Sequence, residues 1–526
     1  MFVMGTSGAS AANQPPPLEG HDLFASNRPL AEALEREGAG WAAGECSSFG
    51  RILTGAPLEW GRLANENPPK LRTHDRYGER VDTVEFHPAW HELMRLSLAH
   101  GLHSLSWTEP RAGAHVARAA LFMLMSQVEA GHGCPVSMTH AAVPALRSSA
   151  PELAAEWEPR LTSVVYGEGA LCGMAMTERQ GGSDVRANTT RATPAGGDEY
   201  ELDGAKWFCS APQSDIFLVL AQAPGGLSCF LLERGPGFEI QRLKDKLGDR
   251  SNASSEIELR GARARLVGEE GRGVRTIVEM VVHTRLDCVL GTAAGMRQAV
   301  EQATWHAAHR SAFGALLVDQ PLMENVLADL CVESEAATVT ALRLARAYDR
   351  RAGDAREAAF ARIATAIAKY WVCKRGPAHA AEALECLGGN GYVEESGMPR
   401  VYRQMPLLSI WEGSGNVVCL DVLRALQREP ETLEALLDEI ALAGDAALTA
   451  EARDAAATVD EASARIAVER LAVALQASLL VRHAPAAVAD AFRARTGRAY
   501  GTLPAGIDKG AIIERHRPVR DYDPNP

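Results

Sequence analysis

Apolar side chains in the first third of the chain recur every three to four residues. Trp90, Leu93, Met94, Leu98, Leu102 and Leu105 form one stripe, and Val116, Ala119, Ala120, Met123, Leu124 and Val128 a second. That spacing places them on one face of a helix. It predicts helices over 88–109, 114–132 and 138–160, with Pro144 and Pro151 interrupting the last. Upstream, residues 1–28 read as an extended, flexible arm. Leu30 and Leu34 among Glu32, Glu35 and Glu37 predict a short amphipathic helix, and Asn67-Pro68-Pro69 breaks the chain again.

Near Leu171 the period changes. Short β-rich runs follow, among them Tyr200-Glu201-Leu202, Ile216 to Leu220, Ser228 to Leu232, Phe238-Glu239-Ile240 and Glu256 to Leu259. Turn residues separate them at Gly196-Gly197-Asp198, Pro224-Gly225-Gly226 and Gly235-Pro236-Gly237. This spacing predicts a small antiparallel barrel or sandwich. From Gly273 helical spacing returns. One helix begins with Val274, Ile277, Val278, Val281 and Val282, another ends over Thr304 to His309, and others cover 320–350 and 355–385. Long helices with short connections imply a bundle. After Pro430 the chain is Ala-rich, with stripes such as Leu433, Leu436, Leu437, Ile440 and Val468, Leu471, Leu475, Leu479. The expected class is α+β, in four parts: an arm and α-domain over 1–168, a β-barrel over 169–272, an α-bundle over 273–430 and a further helical domain over 431–526.

Composition narrows this picture in two ways. The 526 residues carry a net charge of −13, which excludes a uniformly basic nucleic-acid binder but leaves room for a local basic patch. From Val481 onward there are eight Arg or Lys against five Asp or Glu, so the tail is such a region. Ten cysteines are scattered without a C-x-x-C pair, which points to buried reduced thiols in a cytoplasmic protein. His87 with His91, and His100 with His103, have no recognisable metal pattern nearby. With His132 and His140 they read as caps, core or surface groups, and no metal is expected. The N-terminus has no cationic stretch leading into an apolar core, and no apolar run is long enough to span a membrane.

Five segments carry candidate chemistry. In Ser409-Ile410-Trp411-Glu412-Gly413-Ser414-Gly415-Asn416 a carboxylate stands beside a bulky aromatic, which can desolvate it and raise its pKa toward a base's working range. The same octapeptide also reads as a helix N-terminus capped by Ser414 or Asn416. Cys172 to Val185 holds Thr177, Gly181, Gly182 and Ser183, a grouping suited to a ring edge and a phosphate. Lys206-Trp207-Phe208-Cys209-Ser210 offers aromatic faces to a planar group, or a strand in a core. Arg310-Ser311-Ala312-Phe313-Gly314 adds a cation, and Leu387-Gly388-Gly389-Asn390-Gly391-Tyr392 a glycine-rich turn.

Taken in chain order, the five segments resemble the acyl-CoA dehydrogenase family, over about residues 80–425. Residues 61–69, 86–91, 243–254 and 409–416 look like its AidB-like, alkylation-response branch, as does the additional C-terminal domain. The resemblance implies the acyl-CoA dehydrogenase fold and FAD held non-covalently at a subunit interface of a homotetramer. Met174, Met176, Thr177, Gly182 and Ser183 would then line the flavin, with Phe208 packed on the ring and Ser210 near N5. Ile410, Trp411, Gly413, Ser414 and Asn416 would approach from the other side. Arg310, Phe313, Gly388 and Gly389 would meet the nucleotide half of a neighbour's FAD. Glu412 matches the catalytic base. Some relatives carry the base on a helix before an Arg, and here Thr284 precedes Arg285 and cannot serve. Two positions depart from the family: Phe208-Cys209-Ser210 stands where Trp-Ile-Thr or Trp-Ile-Ser is common, and Glu385 where Gln is common.

The branch further implies protection of DNA in the response to alkylation damage. Duplex DNA would meet the C-terminal domain through Arg493, Arg495, Arg498, Arg515 and Arg517. Weak dehydrogenation of an isovaleryl-CoA-like thioester would accompany this, with an electron-accepting partner. The alternative is a dedicated short or branched-chain acyl-CoA dehydrogenase whose last domain only assembles the oligomer.

Overall fold

The computed structural model describes residues 13–457, 459–495 and 499–519. Helices Arg28–Leu34, Ala43–Leu53 and Ala56–Glu66 lead into a two-stranded hairpin, β1 (Lys70–His74) and β2 (Arg80–Glu85). Helices Pro88–Ala99, Ala114–Val128, Gly133–Ser149 and Pro151–Leu161 complete the first part. The helix expected over 88–109 stops at Ala99, because Gly101 adopts a left-handed φ of 64° there. A single turn, Leu105–Thr108, follows. The expected break at Pro144 does not occur. Pro144 lies inside a continuous helix, where tertiary packing outweighs its lost hydrogen bond.

The barrel strands are β3 (Cys172–Ala175), β4 (Arg191–Gly196), β5 (Glu199–Ser210), β6 (Ile216–Ala223), β7 (Gly226–Glu233), β8 (Phe238–Leu243) and β9 (Ser254–Val267). Pairings β5–β4, β4–β6, β6–β7, β7–β9 and β9–β5 form a closed circuit. Most pairs are antiparallel, but β3 and β4 each run parallel to β6. Closure removes the open edges, apart from β3 and β8 laid against the ring. Strand β6 is buried from Ile216 to Ala221, alternating between two apolar clusters: Ile216, Leu218 and Leu220 face one, Phe217, Val219 and Ala221 the other.

The bundle is built on one 37-residue helix, Gly273–His309, where the sequence pattern suggested two. Helices Pro321–Arg350, Ala355–Cys386, Met398–Leu408 and Gly415–Arg428 pack around it, and Pro430–Ala441, Ala446–Ala457, Ala464–His483, Ala486–Ala494 and Lys509–His516 follow. Gly291 and Gly295 on the long helix, with Gly376 on Ala355–Cys386, let Met398–Leu408 come close. A Cβ on Gly295 would stand 2.0 Å from the Met405 methyl. This packing fixes where the loop Ser409 to Ser414 emerges. One apolar core runs without interruption from Leu23 through the bundle to Ile513, so the last helices share the bundle's core. All ten cysteines are free and buried, and among the described residues no helix is long and apolar enough to cross a membrane.

Candidate active site

Strand β3 brings two of the sequence segments together. Met174 stands opposite Ser210 in the β3–β5 pairing, and the Trp207 amide donates to the Thr177 carbonyl at 2.8 Å. Thr177 and Gly182 touch: a Cβ on Gly182 would lie 2.4 Å from Thr177 Oγ1, so the loop closes only with glycine. Beneath them Glu178 and Lys206, 2% and 1% exposed, pair at 2.7 Å. Burial alone would raise Glu178, but the Lys206 charge and hydrogen bonds from Thr190 and Thr189 hold it down at about 2. Thr189 and Thr190 donate backbone and hydroxyl groups to it. This ion pair ties the 176–190 loop to strand β5, and Ser183 on that loop is exposed. Phe208 projects outward, 49% exposed. Lys244 Nζ lies 3.3 Å from the Trp207 ring centroid and 4.7 Å from that of Phe208.

Trp411 packs against the same apolar cluster as Met174 and Met176, which brings the Glu412 loop to this face of the barrel. Glu412 itself holds a left-handed φ of 58° and Gly413 one of 98°. For a glutamate that conformation is strained and needs support. Arg285 Nε donates to the Glu412 carbonyl at 2.9 Å, and Lys369 Nζ donates to the Gly413 carbonyl. Asp421 holds Arg285 from the other side at 2.7 Å. Both cations therefore grip the backbone, and Glu412 Oε2 is buried with no hydrogen-bond partner. Burial pushes the Glu412 carboxyl up, against weaker opposing effects of the Thr284 hydroxyl, Arg285 and Lys369. Ser414 does stand at the N-terminus of Gly415–Arg428, but its side chain makes no capping bond. Ile410, 60% exposed, lies before the loop, and Asn416 is exposed.

The remaining cofactor candidates sit elsewhere. Arg310 donates to the Asn13 carbonyl at 2.6 Å, and Phe313 at the tip of a short hairpin is wholly exposed. Gly388 and Gly389 face open space, and Asn390 donates to Gln14 at 3.1 Å. Arg310 and Asn390 thus find their partners in the N-terminal arm of the same chain. A cleft of about 920 Å³ opens beside Leu387 and Asn390 and is lined by Arg62, Arg250, Arg400 and Arg403; it does not include Glu412. Glu385 is exposed on the same side.

The C-terminal arginines divide. Arg495 faces Asp329 at 2.8 Å and Glu333 at 3.2 Å. Arg515 pairs with Glu32 and Glu335 and is buried. Arg493 pairs with Asp445 at 2.7 Å and Arg517 lies 3.6 Å from Glu514, both with side chains more than 40% exposed. Arg498 lies outside the described residues.

Sequence reasoning picked out neither Lys369 nor Lys244. Lys369 lies mid-helix with no motif around it, and its role follows only from the return of Gly413 to that helix.

Residues 13–168 match the adaptive response protein AidB N-terminal domain, 173–262 the acyl-CoA dehydrogenase middle domain and 271–427 the acyl-CoA dehydrogenase C-terminal domain. The chain is 51% identical to the acyl-CoA dehydrogenase homologue AidB of Escherichia coli (strain K12), over 79% of this chain and 80% of that protein. It is 33% identical to acyl-CoA dehydrogenase family member 11 of Caenorhabditis elegans, over 74% of this chain and 68% of that one. The solved structure of Caenorhabditis elegans ACDH-11 in complex with C11-CoA superposes with a TM-score of 0.85 at 27% identity, covering 98% of this chain and 93% of that one. FAD is the cofactor of this family. The residues present fit it: Phe208 and Ile410 expose apolar faces, Gly182 packs against Thr177 where a Cβ would not fit, and Trp411 Nε1 is buried without a partner. With three domains matched in order and half of the aligned residues shared with AidB, the chain belongs to the acyl-CoA dehydrogenase family, on its AidB branch, as an FAD-dependent enzyme.

Proposed function

We propose that this flavoprotein dehydrogenates a short or branched acyl-CoA of the isovaleryl-CoA kind slowly, and that it protects DNA in the response to alkylation damage. The observation that carries the first half is Glu412, a strained, buried carboxylate with an unpartnered oxygen and a raised pKa. Bound FAD supplies the hydride acceptor. Glu412 Oε2 takes the α-proton of the thioester, and its raised pKa makes it a stronger base for that transfer than an ordinary glutamate. Arg285 and Lys369 hold the loop through carbonyl groups and leave the carboxylate free to move the proton. Met174, Met176, Thr177, Gly182, Ser183, Phe208 and Ser210 would hold the isoalloxazine side, with Ile410, Trp411, Gly413, Ser414 and Asn416 facing them. Arg310, Phe313, Gly388 and Gly389 would serve a neighbour in a homotetramer. Because the Caenorhabditis elegans relative was solved with C11-CoA, longer acyl chains belong in any substrate series.

The DNA half is supported by the match to an adaptive response protein and by the basic tail. Arg493 and Arg517 are the described members of the predicted set with exposed side chains, and they would contact phosphates. The burial of Arg495 and Arg515 among carboxylates favours the second reading, a dedicated dehydrogenase whose last domain only braces the assembly. Retention of labelled duplex DNA across a salt series separates the two. Affinity that falls steeply with salt and weakens in R493A/R517A supports protection; no retention at low salt leaves the dehydrogenase alone.

A further inference from the structure

Three helices bring three imidazoles together in a part of the molecule that the flavin chemistry does not use. His115 comes from Ala114–Val128, His140 from Gly133–Ser149 and His283 from Gly273–His309. Ring centroids are separated by 5.8, 5.5 and 5.8 Å, and one nitrogen of each ring lies within 4.8 Å of the others. We infer that His115, His140 and His283 form a binding site for a divalent transition-metal ion, with Zn²⁺ as the expected occupant.

Four observations support a ligand here rather than a packed cluster. First, His283 is 1% exposed and its Nδ1 is buried with no hydrogen-bond partner, an expensive arrangement unless something binds it. Second, His140 Nδ1 faces the His103 carbonyl at 3.2 Å. That contact places the proton on Nδ1 and leaves Nε2 as a lone-pair donor, as outer partners of metal-bound histidines do. Third, the rings are clamped: Trp107 stacks on His140 at 4.8 Å and Tyr348 meets His283 edge-on at 4.9 Å. Fourth, burial and nearby arginines hold all three rings neutral, the form that ligates.

The donor set selects the ion. Three imidazoles without thiolate or carboxylate suit Zn²⁺ or copper and disfavour Mg²⁺ or Ca²⁺. Zn–N bonds of about 2.0–2.1 Å require the three nitrogens to close to about 3.3 Å, a movement within reach of small side-chain rotations. Two arginines stand near. Arg118 is already neutralised by Asp287. Arg351 donates to His283 Nε2 at 3.0 Å and also lies 3.2 Å from Glu279. With Arg351 turned fully onto Glu279, the imidazole proton can move to Nε2, which frees the unpartnered Nδ1 as a neutral ligand. Such an ion would pin the N-terminal domain to the bundle one residue from Thr284.

The test uses the FAD-loaded, full-length protein, dialysed against a chelator and titrated with Zn²⁺ by calorimetry and with Co²⁺ by visible absorption. The inference expects one ion per chain and an intense, tetrahedral-type Co²⁺ band. His115→Gln and His140→Gln should each weaken binding at least ten-fold while FAD content and the melting profile stay as in wild type. No ion bound, or binding of equal strength in both variants, overturns it. Should either variant fail to retain FAD, the wild-type Co²⁺ spectrum decides: a weak octahedral-type band rules the site out.

Discussion

The two carboxylates nearest the site differ by environment. Glu178 is buried beside Lys206 and stays charged, whereas burial outweighs the Thr284 hydroxyl, Arg285 and Lys369 at Glu412 and pushes its carboxyl toward the protonated form. Glu412→Gln should lower turnover by about 10²–10⁴-fold with FAD content unchanged, measured as steady-state kcat. Turnover in wild type should rise with pH through a value above the ordinary 4.5 for glutamate. The stability effect runs the other way. The folded state holds a proton on Glu412 that the unfolded chain has released, so this group's contribution declines as pH climbs from the ordinary value through the raised one. Glu412→Gln should therefore melt higher than wild type above that range, and a lower Tm there would count against a desolvated carboxylate. Lys206→Met would leave Glu178 buried without its cation, at a cost of about 3–5 kcal/mol, read as a lowered thermal midpoint with loss of FAD. The desolvation of Glu412 was legible in the sequence, because a carboxylate beside a bulky aromatic can be taken out of water. Lys369 was not, since a lysine in a helix normally faces water. Of the three clustered histidines the sequence reading took up His140 alone, as a cap, core or surface group, because only the tertiary fold brings positions 115, 140 and 283 together.

Among elements, the change from period 3.6 to period 2 and back was plain in the apolar pattern, and the strands run from Cys172 to Val267. The hairpin β1–β2 was hidden because it is mostly exposed, so it carries no apolar alternation; an Asp75 turn organises it instead, with Tyr77 and Glu79 amides donating to the side chain. The continuity of Gly273–His309 was hidden by Gly291 to Gly295, whose small residues thin the apolar stripe where another helix comes close. The parallel pairings on β6 could not be read from strand periodicity, which reports faces and not direction. The last helix, Lys509–His516, is held by Arg515 between Glu32 and Glu335. Arg515→Ala would leave Glu335 buried and short of a cation, loosening that helix by about 3–5 kcal/mol. Hydrogen exchange should speed up across 509–516 and across the Arg28–Leu34 helix, while the barrel stays protected; uniform exchange would show that the contact carries no docking energy.

At the scale of the whole molecule, the core that joins the C-terminal helices to the bundle makes them a structural extension of it. Net acidity with a basic tail then confines any DNA contact to one region, and binding should respond to Arg493 and Arg517 but only indirectly to Arg495. R493A/R517A should reduce duplex retention and flatten its salt dependence without altering flavin content. The central claim is that a working dehydrogenase site persists here, with Glu412 as its base. Anaerobic titration of the holo-protein with isovaleryl-CoA, butyryl-CoA and C11-CoA, following the visible flavin band, tests it most directly. The account predicts bleaching by at least one thioester in wild type and none in Glu412→Gln. An unchanged band in fully FAD-loaded wild type, or equal bleaching in the variant, would contradict it.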